Sequence, residues 1–131
     1  MSEQEPIETV QRRIRNHIIR YFKMASSADA LLEYQRNVPI AYVYAELFCQ
    51  WQDWFEMATN SIGKEFPDPI YSDDERVAIA NFERMWQETI KRAPKNSDIA
   101  SFVKTAEYER LANVAKESLT VFQRRGFLPD D

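Results

Sequence analysis

Between residues 7 and 25 the apolar side chains return at helical spacing. Set at 100° steps, Ile7, Val10, Ile14, Ile18, Tyr21, Phe22 and Ala25 fall on one side, and Arg12, Arg13, Arg20 and Lys23 fall on the other. A stripe of this kind fits a helix with one buried face and does not fit a strand. Ile19 is its one apolar residue out of phase. The same period returns further along, and two glycines in 131 residues are too few for the turns of a hairpin-rich β protein. The expected fold is all-α, a single-domain antiparallel bundle of five to six helices over residues 1–131, without an internal repeat that would suggest a solenoid. A chain of this length buries roughly two-thirds of the surface its unfolded form exposes, so it needs neither a metal nor a disulfide to fold.

Local signals set the boundaries. Residues 1–5 are expected to be a flexible N-terminus. Ser26, with Asp29 three residues on, opens a short second helix that ends near Asn37, because Pro39 disfavours the helical region for Val38. Pro39 then serves as a first-turn residue of a third helix over 39–60. Residues 61–72 form a long loop marked by Gly63, Pro67 and Pro69, and Ser72 with Glu75 has the spacing of a capping box for a fourth helix over 73–93. That helix carries Ala78, Ile79, Phe82, Met85, Trp86, Ile90 and Ala93 as its apolar stripe, and Pro94 stops it.

In the last third, Ile99, Phe102, Val103 and Ala106 project opposite to Tyr108, Leu111, Ala112, Ala115, Leu119 and Phe122. A short helix to about 104 and a new one capped by Thr105 explain the two faces better than one continuous helix touching two neighbours. Cations Arg124 and Arg125, then Gly126 and Phe127, read as a helix end with a left-handed glycine and an apolar residue folding back.

The totals exclude several function classes. One cysteine, Cys49, can form no internal disulfide and no paired metal site, which suits a reducing compartment. The first residues are acidic and lack an apolar stretch, so no secretory signal is expected, and no run nears the roughly 20 apolar residues of a membrane span. A cytoplasmic protein with no membrane partner is the expectation. A net charge of -4 disfavours a general nucleic-acid binder and suits a basic protein partner.

No catalytic set emerges. His17 is the only histidine, sits where the apolar and basic faces meet, and reads as a boundary residue packed beside aromatics rather than a general base. A di-iron bundle site needs Glu-x-x-His pairs, which are missing, and Asp68, Asp73, Asp74 and Glu75 lack the spacing of a calcium loop and read as helix-capping acids. Cys49 has Glu46, Asp53 and Glu56 as helical neighbours, which disfavours a thiolate nucleophile. With no phosphate-binding or nucleophile-elbow motif either, the chain is expected to be no enzyme and to need no cofactor or metal.

The third helix divides into two faces. Ile40, Val43, Tyr44, Leu47, Phe48, Trp51, Trp54, Phe55 and Ala58 cover one wide side and should wall the core. Tyr42, Glu46, Cys49, Asp53, Glu56, Met57 and Asn60 cover the other, where an aromatic and a thioether among acids resemble a recognition surface. If a neighbouring helix roofs this strip, it is only packing. The expected function is a protein-binding module, an immunity or antitoxin protein that neutralises a basic, nuclease-like toxin through Tyr42, Glu46, Cys49, Asp53, Glu56 and Met57. The alternatives are a nucleic-acid-associated regulator using Arg12, Arg13, Arg20 and Lys23, with Arg15 to one side, and a small-molecule-binding helical protein with His17, Tyr21 or Tyr44 in its pocket. A homo-oligomer is compatible with all three.

Overall fold

Apolar stripes on several helices have to bury one another, and the computed structural model, which describes residues 6–60, 66–67 and 69–130, shows how they do so. Among the described residues there are six helices and no strand: α1 (Ile7–Ala25), α2 (Ala28–Asn37), α3 (Val43–Asn60), α4 (Asp73–Arg92), α5 (Ile99–Phe102) and α6 (Ala106–Gln123). They form an all-α, single-domain helical bundle. The N-terminal segment 1–5, residues 61–65 and Asp68 of the expected loop, and Asp131 lie outside the described residues.

Helix α1 is the hub. It packs against α2, α3 and α6, while α4 lies along α6 and α5 touches α2 and α3. Phe22 of α1 shows why: its ring centre lies 5.6 Å from Trp51 of α3, 5.1 Å from Phe82 of α4 and 5.7 Å from Phe122 of α6. Helices α3 and α4 meet through large rings, with Trp51 edge-on to Phe82 at 4.7 Å. Each buried ring of this size contributes on the order of 2–3 kcal/mol. The indole N–H groups are satisfied across the same seam, Trp51 donating to Glu83 Oε1 at 2.9 Å and Trp86 to the Phe48 carbonyl at 3.2 Å.

Caps set most helix starts. Ser72 and Glu75 form the reciprocal capping box, Asp98 accepts from the Ser101 N–H, and Thr105 accepts from the Tyr108 N–H at 3.1 Å. The chain therefore breaks between α5 and α6, and the Tyr108 hydroxyl reaches back to donate to the Ala25 carbonyl at the end of α1. Gly126 has φ +71, the left-handed turn that glycine makes without steric cost.

Several expectations are corrected. Ser27, not Ser26, caps α2, since its hydroxyl accepts from the Ala30 N–H at 3.1 Å, and Ser26 closes α1 instead. Helix α3 starts at Val43 rather than Pro39, because residues 38–41 form a turn closed by the Ala41 N–H on the Val38 carbonyl. Ile40 consequently leaves the core wall and is 96% exposed. Ile19, out of phase with the α1 stripe, is buried because α1 has neighbours on most sides, whereas Ile90 lies in phase but near the end of α4 and is exposed. Ile7 is likewise exposed at the first residue of α1.

Candidate partner-binding surface

The neighbours of α3 lie on one side of it, so the opposite side is open. Tyr42, Cys49, Asp53, Glu56 and Met57 are exposed, Tyr42 by 48% and Met57 by 49%. Glu46 alone is half-buried: it accepts from the Tyr34 hydroxyl of α2 at 3.3 Å and from Gln50 Nε2 at 2.6 Å. Burial and then this carboxylate raise the Tyr34 phenol above its ordinary pKa. Tyr42 is held at its hydroxyl, which accepts from the Ser97 N–H at 3.3 Å, and its ring lies 6.0 Å from Tyr44. The strip is thus anchored at one end, acidic in the middle, and about 22 Å long at a helical rise of about 1.5 Å per residue.

An apolar feature flanks each end. At the near end Val38 and Ile40 project from the turn before α3. At the far end a groove of about 600 Å³ runs between α1 and α3, floored by Val10, Ile14, His17, Trp54 and Met57 and edged by Arg13 and Glu56. The His17 imidazole stacks on the Trp54 indole at 4.3 Å with the planes 4° apart. Burial, then the nearby Arg20, lowers the His17 pKa against an opposing pull from Asp130, which favours the neutral ring. His17 is packed beside an aromatic, as its sequence position suggested. The groove itself went unseen in the sequence, because Trp54 is in phase with the core stripe of α3 and only the packing of α1 leaves it half-buried.

The basic row of α1 is occupied. Residues 127–130 fold back along it: Arg12 Nε donates to the Pro129 carbonyl, Arg13 Nη2 to the Asp130 carbonyl at 3.4 Å, and the Phe127 ring lies 5.0 Å from the Arg20 guanidinium and 4.9 Å from the Lys23 ammonium. Arg15 is no part of a surface row. It is fully buried and donates twice to Glu75, at 3.2 and 2.7 Å, while Arg125 reaches the same carboxylate at 3.1 and 2.6 Å.

This Arg15–Glu75–Arg125 cluster ties α1, α4 and the end of α6 together. Burial pushes the Glu75 carboxyl up, but hydrogen bonds from Arg15, Arg125 and the Ser72 backbone outweigh it and hold the group below its ordinary value. Tyr71 is buried beside the cluster with no hydrogen-bond partner for its hydroxyl among the described residues, and burial raises its pKa well above the ordinary value. The sequence pointed to the Ser72–Glu75 box but not to the arginines, which come from 60 and 50 residues away. Of the described acids between 69 and 75, Asp73 pairs with Arg76 and Asp74 with Arg124, and among the described residues no three His, Cys, Asp or Glu groups converge as a metal site. Among the same residues no helix is long and apolar enough to cross a membrane.

The chain matches no family model, no curated protein and no solved structure.

Proposed function

We propose that the protein is a non-enzymatic binding module of the cytoplasm whose partner is a basic protein, held on the open face of α3. The observation that carries this reading is that one helix supplies the core with Leu47 and Trp51 on one side and leaves Cys49, Asp53, Glu56 and Met57 to solvent on the other. Surface acids between two apolar ends, Ile40 and the Trp54 groove, resemble an interface in which buried anchors give affinity and rim charges give orientation and a fast on-rate. The most specific form of the reading is an immunity or antitoxin protein that covers the basic active site of a nuclease-like toxin.

The test is capture of partners from the native host by the wild-type chain and by the double variant Asp53→Lys, Glu56→Lys, followed by identification and salt-dependent affinity measurement. The expected partner is a single basic protein whose binding weakens with salt and drops at least about ten-fold in the double variant, roughly the 1.4 kcal/mol that a rim charge reversal supplies. Retention of the same partner at unchanged affinity would refute the reading.

The groove favours a second reading. Its size is in the range of small-molecule sites, and the flat His17–Trp54 pair suits a planar aromatic ligand. A ligand that survives purification and quenches Trp54 fluorescence would favour it. The basic row, being occupied by residues of the same chain, gives the nucleic-acid alternative less support.

A further inference from the structure

Gly126 turns the chain after α6, and the next four residues, in neither helix nor strand, lie along the flank of α1 that carries Arg12, Asn16 and Arg20. Among the described residues most of the hydrogen bonds there are with the main chain. Arg15 Nη1 donates to the Gly126 carbonyl at 2.5 Å, Asn16 Oδ1 accepts from the Leu128 N–H at 3.0 Å, and Asn16 Nδ2 donates to the Leu128 carbonyl at 2.8 Å. Arg12 and Arg13 address the next two carbonyls, of Pro129 and Asp130. Among the described residues side chains engage at three points: Phe127 lies on Arg20 and Lys23, Leu128 packs against the core, and the Asp130 carboxylate accepts from Asn16 at 3.3 Å.

We propose that this flank of α1 is a peptide-binding site that reads an extended main chain, filled in cis by residues 126–130, and that an acidic segment of a partner protein with an aromatic at the Phe127 position displaces them. Asn16 decides the ligand class. It is 3% exposed, and it offers one acceptor and one donor matched to the N–H and C=O of a single residue. A deoxyribose-phosphate backbone presents only acceptors to such a site and would leave Oδ1 without a donor, and a ribose hydroxyl cannot match the paired N–H and C=O spacing of one residue. A peptide satisfies both atoms, and the row of cations then selects acidic segments and an aromatic ring. The strap holds the site because its tether gives it a high effective concentration, which a free segment must outcompete. This site is separate from the acidic strip of α3 and does not depend on the reading given to that strip.

The test uses the full chain. Phe127→Ala with Leu128→Pro loosens the strap without touching α1, since proline has no N–H to offer Asn16. The probe is a fluorescent, end-blocked peptide with the sequence of residues 126–130. The loosened chain is expected to bind it about ten-fold or more tighter than wild type, and adding Asn16→Leu is expected to abolish that gain. Circular dichroism checks that the helices persist. Should the loosened chain not fold, the wild type serves: in a nitrogen-15 NMR titration with excess unlabelled peptide, the Leu128 amide signal should move to the position of a released strap. Equal affinity in wild type and loosened chain, a gain insensitive to Asn16→Leu, a Leu128 signal that never moves, or binding of a short single-stranded oligonucleotide in place of the peptide would each overturn the proposal.

Discussion

Glu75 and the pair Asp53 and Glu56 carry the same carboxylate in opposite settings. Glu75 is 1% exposed, takes four hydrogen bonds from two arginines and caps α4 through Ser72, so its charge is consumed in joining three helices. Asp53 and Glu56 are exposed on the outer helix face, where Glu56 accepts only from its neighbour Gln52 among the described residues. A buried pair is costly to break because the surviving charge cannot be rehydrated, whereas surface charge adds little to folding and is free to serve recognition. The molecule therefore keeps apart the acids that hold the fold from those that present a surface, and net charge alone reports neither.

Removing the buried acid should show this contrast at its largest. Glu75→Ala leaves Arg15 buried without its counter-ion and is expected to cost about 3–5 kcal/mol in urea unfolding, or to prevent folding. Acid should act through the same group more gradually. Because the folded-state pKa of Glu75 lies below its ordinary 4.5, its contribution is complete above that value and is lost as pH falls through the lowered one. Urea stability of the wild type should therefore fall more steeply below pH 4.5 than that of Glu75→Gln, and parallel curves would remove Glu75 from the account. Phe127→Ala, which lifts one ring from two surface cations, should cost less than about 1 kcal/mol. Last, Asp53→Lys with Glu56→Lys should change unfolding free energy by no more than about 0.5 kcal/mol. A larger loss would mean that the strip is structural after all.

Much of the fold could be read locally. The α1 stripe, the Ser72–Glu75 box, the break at Thr105 and the turn at Gly126 are each specified by residues within a few positions of one another, and each stands in the structure. The start of α3 was not legible, because proline suits both a helix first turn and the turn that residues 38–41 adopt, and Ile40 is in phase with the stripe either way. For the candidate sites the rule was similar. That the outer strip of α3 exists follows from its period, but its openness depends on where α1, α2 and α5 lie. Arg15 and the basic row looked alike as sequence, and only partners from the far end of the chain distinguish them: Glu75 and Arg125 enclose the first, and residues 127–130 cover the second.

Cys49 provides the most direct test of the claim that the outer face of α3 meets a partner, since it is the one cysteine and lies in the middle of the strip. The measurement is the rate of its alkylation by a bulky maleimide, in the isolated chain and in the complex recovered from the host. Open labelling is expected in the isolated chain, with strong protection in the complex and no protected complex from the Asp53→Lys, Glu56→Lys chain. Labelling of Cys49 in the complex at the rate of the isolated chain would contradict it.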